Sequence, residues 1–189
     1  MLEHFMDTKT FRKVMSQWPT GVCVVTGMSA EQQPLGMVIG SFCSVSLVPP
    51  LVAFFVKATS TTWQDIHRQG GRFCVNVLSH RQASLCSTFS SGDPAKRFDQ
   101  LSYEHSPGGA PMLADCCAWI DATCDKTIEL GDHLMVVGHV QDMRQGSEVL
   151  PLVFSRGRLN RTEVLSSLND DHFLQWEDSL QAASAVWRF

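Results

Sequence analysis

The beginning of the chain combines one helical pattern of apolar residues with a series of short apolar runs. A helix is predicted between a cap at Asp7 or Thr8 and the break at Pro19. Its apolar face has helical spacing and carries Phe11, Val14, Met15 and Trp18. The β-branched run at residues 22–26 lacks this spacing and predicts a buried strand.

Further apolar runs predict six more strands, with two short helices between them. The strands are expected at 35–45, 51–56, 73–78, 119–128, 134–140 and 152–155. One helix is expected between a cap at Thr62 and Gly70-Gly71, and the other starts at the capping-box spacing of Ser79 and Gln82 and reaches Phe89. Residues 90–111 are predicted to form a long loop, and the tail from about residue 161 is predicted to be helical.

The order of these elements predicts a mainly β fold, because several strands follow one another through short turns. We expect six or seven strands in a closed or nearly closed β-barrel with a few flanking α-helices. The stretch from residue 32 to residue 56 carries no formal charge, but Pro34, Pro49, Pro50 and several serines interrupt it. It is interpreted as two buried strands joined by a proline turn, and a membrane span is rejected.

Composition and charge exclude several classes of protein. The 189 residues have a formal net charge of −4 and no basic run, which argues against nucleic acid as a partner. The 7 cysteines are an odd number and most lie among apolar residues, so we expect free thiols in a reducing compartment. Glu3, His4 and Asp7 lie where a secretory signal would be apolar, and a cytoplasmic location is therefore expected.

The common catalytic motifs are absent from the sequence. It contains no Rossmann or Walker glycine pattern, no Gly-x-Ser-x-Gly elbow and no His-Glu-x-x-His zinc motif. His133 and His139 share one predicted strand, but at about 3.3 Å per residue they are roughly 20 Å apart, too far to hold one ion. No metal site is therefore predicted.

A hydroxyl-rich stretch at residues 36–46 has the chemistry of a ligand site. Ser44 and Ser46 are expected on one face of a strand, and Gly36 and Gly40 would let a flat ligand approach the backbone closely. A hydrated barrel strand without a ligand would show the same pattern. Both interpretations stay open at this point.

Lys57 and the hydroxyls of residues 60–62 precede a predicted helix. An ammonium group, hydroxyls and the free N–H groups of a helix start suit a phosphate dianion, although an ordinary cap beside a solvated lysine is the alternative. Later in the chain, Asp132-His133 begins a strand and could be a simple surface turn. Arg156-Gly157-Arg158 could bind a pyrophosphate or face water.

In their order and spacing these pieces resemble the flavin reductase family, the FMN-binding split-barrel reductases that supply two-component monooxygenases. The resemblance covers about residues 10–160, and its most diagnostic short motif is Gly131-Asp132-His133. The other matching segments are Phe11-Arg12, 19–26, 34–37, 41–47, 49–52, 60–63, 71–78 and Pro151-Leu152.

The resemblance implies a homodimer that uses NADH or NADPH to reduce FMN or FAD, with a flavin-dependent oxygenase as its partner. It implies a split-barrel domain at residues 1–160 and a separate helical tail at residues 161–189. In such proteins the hydride passes directly from nicotinamide to flavin, so the protein needs neither a nucleophile nor a metal.

The resemblance also implies the site residues. Flavin contacts are expected from one strand, the end of the next strand and the following helix start: Gly40, Ser41, Ser44, Ser46, Phe55, Val56, Lys57, Thr61 and Thr62. A family Arg-Phe pair at a helix end is matched by Thr88-Phe89, so Phe89 is expected at the flavin while the arginine is missing. The nicotinamide side maps onto the catalytic residue His133 and onto Gly36, Met37, Val38, Phe154, Arg156 and Gly157.

Other functions fit the same residues. A flavin-binding electron carrier would need the same cleft but would not turn over NADH. A split-barrel oxidase of the pyridoxamine type would share the fold, although its phosphate-binding arginines are not evident in this sequence. A protein that only retained the barrel as a structural partner would bind no flavin.

Overall fold

A computed structural model describes residues 7–91 and 93–162 of the chain. The predicted helical tail therefore lies outside the described residues, apart from its first two positions. Within these ranges, none of the helices is long and apolar enough to cross a membrane.

The described residues form three α-helices, two short 3₁₀ helices and twelve strands. The α-helices are α1 (Thr8–Met15), α2 (Thr61–Arg68) and α3 (Ala83–Ser90), and the 3₁₀ helices are His80–Gln82 and Pro94–Lys96. The strands are β1 (Thr20–Gly21), β2 (Cys23–Met28), β3 (Pro34–Ile39), β4 (Cys43–Leu47), β5 (Pro50–Lys57), β6 (Arg72–Val77), β7 (Tyr103–His105), β8 (Pro111–Leu113), β9 (Ala118–Leu130), β10 (His133–Gln145), β11 (Leu152–Ser155) and β12 (Arg158–Arg161).

Seven of these strands form one antiparallel sheet in the order β3-β2-β6-β9-β10-β5-β4. Strands β3 and β4 are its two edges, and β3 also contacts β5, so the sheet folds back on itself without closing its ladder. Two smaller antiparallel sheets, β1-β11-β12 and β7-β8, lie beside it. The predicted mainly β split barrel with a few flanking helices is confirmed.

The main difference from the predicted elements lies in the charge-free segment. One strand was expected at 35–45, but the structure has β3 and β4 with a break at residues 40–42. At this break the Ser41 hydroxyl donates to the Phe55 carbonyl at 3.1 Å and accepts from the Phe55 N–H at 3.0 Å. The charge-free segment therefore contributes three strands, β3, β4 and β5. Between β3 and β4 the Ser41 side chain makes the hydrogen bonds to Phe55 that a backbone ladder would otherwise make.

Four short strands were not predicted. Strands β1, β7 and β8 have two or three residues each, too few to show an apolar period. Strand β12 consists of Arg158, Leu159, Asn160 and Arg161, all exposed, so its sequence looks like a loop. The expected loop at 90–111 accordingly contains a 3₁₀ turn and β7.

Two aromatic clusters fix the helices that flank the edge strand β3. In the first cluster Trp63 of α2 meets Phe54 and Phe73 edge to face, with ring centroids 5.3 and 5.9 Å away. In the second cluster Phe89 of α3 is 2% exposed and meets Phe98 at 5.3 Å. The start of α2 and the end of α3 are thereby held on either side of β3.

Helix α1 forms as predicted, with the Asp7 side chain accepting from the N–H groups of Lys9 and Thr10. It ends at Met15, so Trp18 lies beyond it. The apolar face of the helix stays exposed, with Phe11 at 54% and Val14 at 63%. Helix α1 therefore contributes little to the core of the described residues.

Candidate functional site

A cleft of about 510 Å³ opens where the C-terminal ends of β3 and β5 meet the start of α2, the end of α3 and the start of β10. It draws its walls from five separate segments of the chain. Its lining residues are Met37, Val38, Ile39, Gly40, Ser41, Phe55, Val56, Lys57, Thr59, Ser60, Thr61, Phe89, Ser90 and His133. Ten of the predicted site residues are therefore brought together in one place.

A second cleft of about 420 Å³ adjoins the first. The two share the wall formed by Val38, Ile39, Gly40 and Ser90. The remaining lining residues of the second cleft come from α3 and from the three-stranded sheet β1-β11-β12 with its adjoining residues, namely Thr20, Val22, Cys86, Phe154, Gly157 and Leu159. Burial raises the pKa of the Cys86 thiol, so this side chain lines the cleft as a neutral group and not as a thiolate.

The start of α2 offers an anion site at one end of the first cleft. Its N-cap is Ser60, whose Oγ accepts from the Trp63 N–H at 3.3 Å, and the predicted cap at Thr62 is wrong. Thr61 and Thr62 occupy the first turn, where backbone N–H groups have no acceptor within the helix. Lys57 ends β5 three residues before the cap and adds an exposed ammonium group.

His133 stands at the rim of the cleft because of the turn before it. Leu130 pairs with His133, which leaves a two-residue hairpin loop, and Gly131 has the positive φ (63°) that a type II′ turn needs at its first central position. Asp132 Oδ1 lies 2.7 Å from His133 Nδ1. The hydrogen bond with His133 and the charges of His133 and Lys57 hold the pKa of the Asp132 carboxyl below its usual range.

The Asp132–His133 contact fixes the orientation of the imidazole. Because a carboxylate occupies Nδ1, the ring nitrogen left for a ligand is Nε2. Lys57 is the register partner of His133 on the neighbouring strand, so both side chains flank the same end of the cleft. The turn is therefore more than a surface loop, because it orients His133 at the first cleft beside Lys57.

Gly36 does not line the cleft, contrary to the sequence prediction. A Cβ at this position would lie 2.9 Å from Phe89 Cδ1, closer still to Cε1, and 3.1 Å from Phe98 Cζ. The missing side chain therefore admits the Phe89 ring, and not a ligand. The Gly36 carbonyl accepts a hydrogen bond from Arg97 Nη1 at 2.8 Å, so an arginine from a later loop contacts the glycine against which Phe89 packs.

Ser44 and Ser46 do not share a strand face, and neither lines a cleft. A β-bulge at Val45 pairs Ser44 with Val52 and Ser46 with Leu51. Since consecutive residues of a strand face opposite sides, the two serines do so as well. This bulge has no signature in the sequence.

Thr62 and Arg156 also line neither cleft. Arg156 lies in the β11–β12 turn with φ +52°, and its N–H donates to the Ser16 carbonyl at 2.7 Å. Its neighbours Phe154 and Gly157 line the second cleft, while His133 lines the first. The residues assigned to nicotinamide are thus divided between two adjoining clefts.

The sequence analysis missed several lining residues. In the first cleft these are Ile39, Thr59 and Ser90, and in the second cleft Thr20, Val22, Cys86 and Leu159. Ser90 directly follows the predicted site residue Phe89, so its position in the sequence could have identified it. Leu159 lies on an unpredicted strand and gave no such signal.

The first cleft fits a flavin. Phe55, Val56 and Met37 offer apolar contact for a ring, and backbone at residues 39–41 can meet its polar edge. The α2 start and Lys57 suit its phosphate. An open sheet with this cleft has the features expected of a split-barrel flavin-binding protein.

Among residues 7–91 and 93–162, no group of three or more His, Cys, Asp or Glu side chains could hold a metal ion.

Comparison with known proteins assigns the chain within that class. The model of the family described as "Flavin reductase like domain" matches residues 15–163. A flavin reductase from Pseudomonas putida is 46% identical over 152 residues, which cover 80% of this chain and 88% of that protein. The chain belongs to the flavin reductase family.

Two further relatives are components of monooxygenase systems. The reductase subunit HsaB of a flavin-dependent monooxygenase from Rhodococcus jostii (strain RHA1) is 37% identical over 177 residues, covering 94% of this chain and 87% of that protein. The crystal structure of nitrilotriacetate monooxygenase component B from Mycobacterium thermoresistibile superposes with a TM-score of 0.80 at 34% identity, covering 88% of this chain and 94% of that one. The predicted family and flavin reductase activity are confirmed.

Proposed function

We propose that this chain transfers a hydride from NADH or NADPH to FMN or FAD held in the 510 Å³ cleft, within a catalytic domain at residues 1–160. The observation that supports this proposal is that one cleft is lined by apolar side chains suited to a ring, by Lys57 and the start of α2, which suit a phosphate, and by His133. The bound flavin supplies the electron-accepting ring. The protein supplies binding, orientation and exclusion of water.

Each part of the cleft has a distinct task in this reaction. Lys57 and the first-turn amide of Thr61, which both line the cleft, hold the flavin phosphate. The backbone of Gly40 and Ser41 meets the polar edge of the ring, because the Ser41 hydroxyl is already bonded to Phe55. Apolar walls at Met37, Val38, Phe55, Val56 and Phe89 exclude water.

The nicotinamide side is proposed along His133 and the second cleft. His133 Nε2 can hydrogen-bond the nicotinamide carboxamide while Asp132 holds the ring from the other side. Phe154 and Gly157 line the second cleft and are proposed to contact the rest of the dinucleotide.

A steady-state assay tests the proposed reaction. We expect the purified chain to oxidise NADH or NADPH only when FMN or FAD is added, with many turnovers per protein. Stoichiometric flavin binding without turnover would instead identify an electron carrier. Oxidation of pyridoxamine phosphate in place of nicotinamide would identify the pyridoxamine-type oxidase.

His133 is expected to control nicotinamide binding. In His133→Ala, the KM for NADH or NADPH should rise by roughly 10-fold, the effect of losing one hydrogen bond, while flavin affinity changes little. Asp132→Asn should raise the same KM less, because the imidazole remains but loses its anchor. Asp125→Asn removes an exposed carboxylate on the same hairpin and is the control. Unchanged kinetics in His133→Ala would remove this residue from the site.

We also propose that the reduced flavin is delivered to a flavin-dependent monooxygenase. The names of the Rhodococcus jostii and Mycobacterium thermoresistibile relatives support such a partner. The first cleft is open at its rim, which allows the flavin to leave after reduction. Reduction of a large molar excess of free flavin would support delivery, whereas flavin that stays bound during turnover would contradict it.

A homodimer is proposed from one face of the main sheet. The register aligns Phe55 with Met135 and Ile128, and Lys57 with His133 and Leu130, so both rows share one face. Of these, Phe55 is 37%, Ile128 38% and Leu130 48% exposed. An apolar face that continues directly from the cleft suits a second copy of the chain.

Replacing Ile128 tests this interface. Ile128→Asp places a carboxylate in the apolar face and is expected to convert the dimer into a monomer, as light scattering after size-exclusion chromatography would show. Met143→Asp is the matched control, because Met143 is 61% exposed at the other end of the same hairpin. A wild-type chain that is monomeric at all concentrations would contradict the proposal.

A further inference from the structure

Arg97 connects the loop after α3 to the edge strand of the main sheet. It follows the 3₁₀ turn Pro94–Lys96, and its Nη1 donates to the Gly36 carbonyl at 2.8 Å. Gly36 lies in β3, whose next two residues, Met37 and Val38, line the first cleft. A single hydrogen bond thus fixes the loop to the strand that forms one wall of the cleft.

The residue after Arg97 extends this connection to a second wall. Phe98 is 9% exposed and meets the Phe89 ring edge to face at 5.3 Å. Phe89 in turn fills the space left by the missing side chain of Gly36 and lines the first cleft. The pair Arg97-Phe98 therefore holds both the β3 backbone and the Phe89 ring.

Stability does not explain an arginine at this position. Among the described residues, Arg97 Nε is the one buried side-chain nitrogen or oxygen without a hydrogen-bond partner. A buried donor of a charged group without a partner destabilises a fold. A methionine would fill a similar volume without that cost. The presence of Arg97 is therefore explained by the groups that it and Phe98 hold in place, which are the β3 backbone and the Phe89 ring.

We infer that Arg97 is a positioning residue of the flavin cleft, which sets the β3 wall and the Phe89 ring against the flavin ring. The inference rests on the proposed function, since it assumes that flavin occupies the 510 Å³ cleft. Arg97 itself does not line that cleft. It acts through Gly36 and, by way of Phe98, through Phe89.

The test compares two ligands on the variants Arg97→Met and Arg97→Lys. Riboflavin carries the flavin ring without the phosphate, and FMN carries both. Arg97→Met should weaken both by the same factor, roughly tenfold for one hydrogen bond of a charged group. Its melting temperature should stay the same or rise, and the KM for nicotinamide at saturating flavin should not change. Arg97→Lys, which keeps one donor, should recover most of the affinity.

Arg81→Met is the matched control, because Arg81 is exposed on the preceding 3₁₀ helix. Weaker FMN binding with unchanged riboflavin binding would overturn the inference and indicate a direct phosphate contact. Unchanged affinity for both ligands in Arg97→Met would overturn it as well. If the wild-type chain bound neither flavin, the proposed function itself would fail. Should Arg97→Met not fold, Arg97→Gln takes its place with the same expected outcomes.

Discussion

Gly36→Ala is expected to weaken flavin binding by about 5- to 150-fold, the effect of roughly 1–3 kcal/mol of overpacking. The added methyl group would overlap the Phe89 ring, which is 2% exposed and cannot retreat into solvent. Phe98 lies behind that ring, so the direction left for Phe89 is toward the cleft. A fluorescence titration with FMN and with FAD measures the loss.

Gly21→Ala is the matched control for this substitution. Gly21 is an exposed strand glycine with nothing within 4 Å of the position where its Cβ would be. This variant should keep its flavin affinity. If Gly36→Ala binds flavin as tightly as the wild-type chain, Phe89 does not form a wall of the flavin site.

Lys57→Ala is expected to weaken FMN binding by roughly 1.5–3 kcal/mol, which is about 10- to 150-fold, if its ammonium group contacts the phosphate. The loss should be largest at low ionic strength, because salt screens an exposed charge. Riboflavin, which has no phosphate, should bind the variant and the wild-type chain equally. Isothermal titration at two salt concentrations distinguishes these cases.

Lys126→Ala provides the control for Lys57→Ala. Lys126 is an exposed lysine on β9, away from the start of α2. Its removal changes the net charge by the same amount and should leave FMN affinity unchanged. Equal losses in both variants would show a general charge effect, and no specific phosphate contact at Lys57.

Local sequence patterns predicted the elements that form the frame of the cleft. The capping box at Ser79 and Gln82 is present, and the Gln82 side chain accepts from the Ser79 N–H at 2.9 Å. The apolar runs with β-branched residues form β2, β5 and β6 as predicted, because such side chains pack well on a pleated, half-buried surface. The Gly131 turn likewise needs only two residues to place His133.

Features that depend on distant contacts escaped the sequence analysis. The sequence predicts that a ligand lies close to Gly36, but the space beside it is filled by Phe89. A glycine alone does not show whether a ring of the protein or a ring of a ligand occupies that space. The partner, Phe89, is separated from it by more than fifty positions. No local pattern marks Arg97, because its contact with Gly36 follows from the course of a loop without periodicity.

Because the two clefts share a wall, flavin and nicotinamide bound in them as proposed would be thermodynamically linked. Val38, Ile39, Gly40 and Ser90 line both clefts, and β3, which holds the first two of them, is an edge strand. If a ligand that binds in one cleft moves this shared wall, the shape of the other cleft changes as well. Reciprocity then requires that each ligand change the affinity of its neighbour by one and the same factor.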